Sequence, residues 1–107
     1  MFKDYKISLL ADYYGAMLSE RALDTVRKYY DGDMSLGEIA ALYGVSRQAV
    51  SETLAKATAS LQEYETKLSL AAKAEWLRDT VDKVSVDCAK GDCAAAIERL
   101  KTIRKEL

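Results

Sequence analysis

The chain has 107 residues, half of them hydrophobic and 31% charged, with no proline and no histidine; that length fits one small domain, or a compact domain with an extension. Without histidine, Ser-His-Asp triads, histidine general bases and zinc–histidine sites are excluded, and no Gly-rich phosphate loop occurs, so no enzymatic activity, small-molecule substrate, cofactor or metal is expected. Sixteen basic against seventeen acidic residues give a net charge of −1 and a pI near 5.5, so the strongly basic footprint of many nucleic-acid binders is missing.

No stretch of about 20 apolar residues and no signal-like start is found. A cytoplasmic protein without membrane insertion, its two cysteines reduced, is therefore expected. The lack of proline and the abundance of Ala, Leu, Lys and Glu predict an all-α fold: a small helix-turn-helix bundle with a long fourth helix and a helical C-terminal extension.

In chain order, the first helix is predicted over about Tyr5 to Met17, with Ile7, Leu10, Ala11, Tyr14 and Leu18 on one face. Ser19 is the candidate N-cap of a second helix, which Asp31-Gly32-Asp33 ends after Tyr30; Leu23, Val26 and Tyr30 form its inner face. Ser35 and Glu38 make a capping box that opens a short third helix with Leu36, Ile39, Ala40 and Tyr43 inward. Gly44 supplies the left-handed residue that stops it. Ser46 then caps a fourth helix predicted to reach about Leu68. Its apolar positions, Val50, Leu54, Ala57, Leu61, Tyr64 and Leu68, are spaced four, three, four, three, four, a short heptad seam.

Beyond Leu68 the apolar stripe changes phase, running through Leu70, Leu77, Val81, Val84 and Cys88, with Ser69 either a break or a stutter in one continuous helix. Gly91-Asp92 reads as a stop followed by an N-cap, and a last helix is predicted over about Cys93 to Lys105. Residues 1–68 are thus read as the helix-turn-helix domain. Residues 69–107 are read as a helical tail for dimerisation or partner contact.

The informative motif runs from Leu36 to Leu54. Ala40 is small where two helices cross, Gly44 turns with positive φ, and Val45 is expected to plug the angle between the helices. Ser46 caps the recognition helix, and Val50 and Leu54 bury its back. Its outward face holds Arg47, Gln48, Ser51, Glu52, Ala55 and Lys56. Arg47 suits a phosphate or a guanine edge and Gln48 an adenine, while Ser46 sits where a helix N-terminus meets phosphate. The nucleic-acid-binding candidates are therefore Ser46, Arg47, Gln48, Ser51, Glu52 and Lys56, with DNA or RNA as partner. Two positive and two negative charges on the motif predict weak, salt-limited binding.

The segments Met34-Ser-Leu-Gly-Glu-Ile-Ala40, Val45-Ser-Arg-Gln-Ala-Val50 and Tyr64-Glu-Thr-Lys-Leu68 resemble the YlxM-like helix-turn-helix proteins of bacteria, a family similar to region four of sigma factors. The resemblance covers about Tyr13 to Leu68. It implies a regulatory role, with components of the signal recognition particle pathway as partners, and matches Ser46, Arg47, Gln48, Ala49 and Val50 to the start of the recognition helix. The chain departs from the family pattern at Ala55-Lys56, where a basic pair is usual, and at Arg21-Ala22, where Lys-Gln is common.

Cys88 and Cys93 are read as half-buried thiols: a metal would have only carboxylates such as Asp87 or Asp92 as further ligands, and a disulfide across the turn, though geometrically possible, is disfavoured in a reducing cytosol. The tyrosines at 13, 14, 29, 30 and 43 are core and interface residues rather than a base-stacking platform. Arg99, Lys101, Arg104 and Lys105 form a locally basic, solvated face. Trp76 is the best interface anchor. A homodimer is expected through Leu61, Tyr64, Leu68, Leu70, Trp76, Leu77 and Val81. Two function classes follow: a regulator that binds nucleic acid, and a protein–protein adaptor using the same scaffold and tail.

Overall fold

The computed structural model describes residues 3–107. Among them are six α-helices and no strand: α1 (Tyr5–Tyr14), α2 (Glu20–Val26), α3 (Leu36–Tyr43), α4 (Arg47–Leu68), α5 (Leu70–Ala89) and α6 (Cys93–Glu106). The chain divides into two compact units, Met1–Ala71 and Ala72–Leu107. Leu70 and Ala71 open α5 yet belong to the first of these units.

Each helix of the first unit starts where a short polar side chain satisfies amides the helix itself leaves unpaired. Ser19 Oγ accepts from the Ala22 N–H at 3.2 Å, and Ser46 Oγ from the Ala49 N–H at 3.0 Å. At α3 the capping box is complete: Ser35 Oγ accepts from the Glu38 N–H at 3.1 Å, while Glu38 accepts from the Ser35 N–H at 3.2 Å. Gly44 follows α3 at φ 67°. There the Gly44 N–H bonds the Ala41 carbonyl and the Val45 N–H the Ala40 carbonyl, the paired closure that a left-handed residue permits.

The core of this unit joins Ile7, Leu10, Ala11 and Tyr14 of α1, Val26 of α2, Ile39 and Ala40 of α3, Val50, Leu54, Ala57 and Leu61 of α4, and Ala71. Leu18, Leu23, Tyr30, Leu36, Tyr43 and Tyr64, all expected inside, are half-buried around it.

The first two helices are shorter than their apolar periodicity predicts. α1 ends at Tyr14, and Gly15–Met17 form a single 3-10 turn. A Cβ on Gly15 would meet Leu23 Cδ1 at 2.8 Å, so glycine here permits the close approach of α2. α2 passes at Arg27 into a π-helical turn ending at Asp31, with the Gly32 N–H bonded to the Arg27 carbonyl. Arg27 fastens this turn to α1, donating to Asp12 at 2.9 Å and to Asp31 at 3.0 Å.

Ser69 is a break, not a stutter: it takes φ 54° and its N–H bonds the Glu65 carbonyl at 2.8 Å. α5 restarts at once because two side chains of the first unit receive its amides. Tyr14 Oη accepts from the Leu70 N–H at 2.9 Å, and Glu65 Oε1 accepts from the Ala71 N–H at 3.0 Å and from Tyr14 O–H at 2.5 Å. Burial, and then the bond to Glu65, raise the Tyr14 pKa above its ordinary value.

The second unit is a helical hairpin. Its turn repeats the closure seen at Gly44, with the Gly91 N–H on the Cys88 carbonyl and the Asp92 N–H on the Asp87 carbonyl. Asp92 then caps α6 through the Ala95 N–H. Thr80, Asp87, Ala96 and Ile103 are buried, and Arg99 donates to Asp87 at 2.7 Å across the two helices. Cys88 and Cys93 are exposed, correcting the expectation of half-buried thiols; both flank the hairpin turn, where the chain covers little.

Candidate nucleic-acid interface

α4 is anchored along its back and open along its front. Val50, Leu54, Ala57 and Leu61 are buried, whereas Ser46, Arg47, Gln48, Ser51, Glu52, Ala55 and Lys56 are all exposed. The division follows from a helical period that puts positions 50, 54, 57 and 61 on one stripe. α3 packs across the back of α4 through Ile39 and Ala40, and the tight turn at Gly44 sets the crossing.

The exposed residues are not equally available. Ser46 Oγ is engaged as the cap. Gln48 Nε2 donates to Glu52 Oε1 at 3.3 Å, one turn later. Arg47 and Lys56 form no ion pair among the described residues. Ser51 and Ala55 face a shallow groove of about 380 Å³, which Tyr29, Tyr30 and Leu36 also line. Tyr29 and Tyr30 meet edge to face, their centroids 5.0 Å apart, and Lys3 Nζ lies 3.7 Å from the Tyr29 centroid.

Val45 departs from its expected role. It is 41% exposed, so its contribution to the turn is the backbone bond to Ala40, and its side chain stays at the rim of a small crevice. Arg21, Thr25, Tyr43, Ala49, Val50 and Thr53 also line that crevice, of about 70 Å³. The Arg21 guanidinium lies over the Tyr43 ring, 4.0 Å from its centroid, and Lys28 Nζ lies 5.9 Å from the same centroid. Tyr43 donates its hydroxyl proton to Asp24, which Lys28 also pairs at 3.0 Å. The Tyr43 bond, then that of Lys28, hold Asp24 below the ordinary carboxylate pKa. Burial, then Asp24, push the Tyr43 phenol up. Spacing alone did not expose this cluster, because it forms only where α2, α3 and α4 meet.

The expected partner-contact residues are dispersed. Leu61 is fully buried inside the first unit, and Tyr64 is half-buried with its ring centroid 6.0 Å from that of Tyr14. Leu61 therefore presents nothing to a second chain. Leu68 and Leu70 are 44% and 43% exposed. In the second unit Trp76, Val81, Ile97 and Leu100 are exposed and Leu77 is half-buried. Trp76 and Leu77 border a groove of about 540 Å³ with Ala72, Lys73, Thr102 and Leu107. Of the basic set on α6, Arg99 pairs with Asp87 and Lys101 with Glu98, leaving Arg104 and Lys105 without ion pairs among the described residues.

Among the described residues no group of three or more Cys, Asp or Glu is placed to hold a metal ion. No helix there is long and apolar enough to cross a membrane.

Comparison with known proteins agrees with the turn geometry. A family model for UPF0122, described as helix-turn-helix protein, YlxM / p13 like, matches residues 1–102. A UPF0122 protein of Desulforamulus reducens is 40% identical over 106 residues, covering 96% of this chain and 91% of its own. One of Symbiobacterium thermophilum is 41% identical over 101 residues, 94% of each chain. One of Shouchella clausii is 36% identical over 105 residues, covering 94% of this chain and 96% of its own.

Proposed function

This chain belongs to the UPF0122 family of YlxM / p13-like helix-turn-helix proteins, and from that premise we propose that it is a non-enzymatic regulator that binds DNA or RNA through the exposed front of α4. The observation that carries the reading is the separation of roles along α4. Val50, Leu54, Ala57 and Leu61 hold the helix to the core, so Arg47, Gln48, Ser51, Glu52 and Lys56 are free of any packing duty. Arg47 and Lys56 supply charge, and Gln48 offers an amide to a base edge once it leaves Glu52. With so few cations the interaction neutralises few phosphates and weakens quickly with salt.

The exposed Trp76, Val81, Ile97 and Leu100 support a homodimer through the second unit, which would present two copies of α4. The same surface supports a second reading, an adaptor that contacts a protein partner. The resemblance to YlxM-like proteins supports a cytoplasmic regulator that acts in the signal recognition particle pathway.

Titrating the full chain against duplex DNA, the particle's RNA and the particle's GTPase tests the proposal. Saturable, salt-sensitive binding of one nucleic acid is expected. Binding to the GTPase alone would favour the adaptor.

A further inference from the structure

The crevice between α2 and α4 carries a feature that the front of α4 does not explain. Arg21 is exposed and forms no ion pair among the described residues, yet its guanidinium is held 4.0 Å above the Tyr43 ring. Tyr43 is itself fixed by its bond to Asp24, and the Asp24 carboxylate is compensated by Lys28. With Arg21 and Lys28 against Asp24, the cluster keeps one positive charge. A stacked guanidinium has already lost much of its rotational freedom and still presents its N–H edge outward. Thr25 and Thr53 line the same small crevice, of about 70 Å³, beside the guanidinium.

We infer that Arg21, stacked on Tyr43, forms a phosphate subsite with Thr53 beside α4, taking one backbone phosphate of a nucleic acid lying on that helix. The inference rests on the proposed reading of α4 and deepens it: α4 would read bases while Arg21 fixes the register of the backbone. Ala49 and Thr53 border the subsite from α4 itself, so a strand that reaches the front of the helix passes close to Arg21. Thr25 takes no direct part, because its hydroxyl donates to the Arg21 carbonyl at 2.7 Å.

The test compares the parent with R21A, R21K and, as a charge-matched control on α1, K6A. Fluorescence anisotropy is read against a 16-base-pair DNA duplex and an RNA hairpin, each in two sequences, from about 50 to 200 mM salt. R21A should weaken binding by roughly three- to tenfold on every sequence and lower the DNA salt slope by about 0.9. R21K should fall between R21A and the parent, because lysine keeps the charge but not the planar stack. K6A should match the parent. R21A matching the parent, or falling no further than K6A, overturns the subsite while leaving the reading of α4 intact. A second measurement separates the two ideas: the Arg21 Nε–H resonance is followed during titration with inorganic phosphate. If the parent binds neither nucleic acid but phosphate shifts that resonance, Arg21 still binds an oxyanion, but its assignment to a nucleic-acid backbone falls with the reading of α4. If neither responds, both are overturned.

Discussion

At Gly44 a single backbone angle decides whether the motif forms. With φ at 67° and nothing within 4 Å of where a Cβ would sit, any penalty for a larger residue is conformational and not a clash. Gly44→Asn should therefore be nearly neutral, while Gly44→Val should destabilise by about 2 kcal/mol, since a β-branched residue is a true outlier there. Thermal unfolding of both variants checks this, and equal melting temperatures would show that φ does not limit the turn. The glycine was legible in the sequence because it lies between a capping box and a capping serine. The exposure of Val45 was not, because the pattern shows that an apolar residue follows the glycine but not how far α3 and α4 leave room beside it. Arg21 was equally hidden: its stack depends on Tyr43, 22 positions away, and on Asp24 holding that ring.

At the scale of elements, α4 emerged from the sequence with its ends nearly right, since Ser46 and the 50-54-57-61 stripe mark one amphipathic helix. The junction with α5 stayed open because a serine with positive φ has no strong signature and the apolar phase shift fits a stutter as well as a break. What settles it is a tertiary network of Tyr14, Glu65 and the first amides of α5. Tyr14→Phe removes the acceptor of the Leu70 N–H and the donor to Glu65, both in part-buried hydrogen bonds. It should cost about 1–3 kcal/mol and speed amide exchange at Leu70 well beyond that at Leu61. Uniform exchange across α4 and α5 would show that the network does not hold the junction. The π-helical turn at Arg27–Asp31 was not foreseen either, because one inserted residue leaves Tyr29 and Tyr30 both half-buried and the apolar pattern little changed.

For the whole molecule, the sequence indicated an all-α chain, and the described residues form six α-helices without a strand. The proposed dimer surface rests in the sequence only on surplus apolar length. Burial in the first unit removes Leu61 from it, while Trp76, Val81, Ile97 and Leu100 remain exposed. Light scattering of the full chain at about 10 μM, where a dimer with the apolar core of a specific interface should persist, should give twice the 11.9 kDa chain mass, and Ile97→Glu with Leu100→Glu should halve it; a monomeric parent would remove the dimer from the account. Arg47→Ala with Gln48→Ala tests whether the front of α4 reads nucleic acid. Neither side chain is buried, so folding should be unaffected, while specific affinity should fall by about 1–3 kcal/mol for each base that the missing side chains no longer pair. The measurement is a competition titration of parent and double variant on the preferred DNA or RNA, with circular dichroism confirming equal helix content. Loss of the preference at unchanged fold is the predicted result; a double variant that binds every nucleic acid as tightly as the parent would contradict the account.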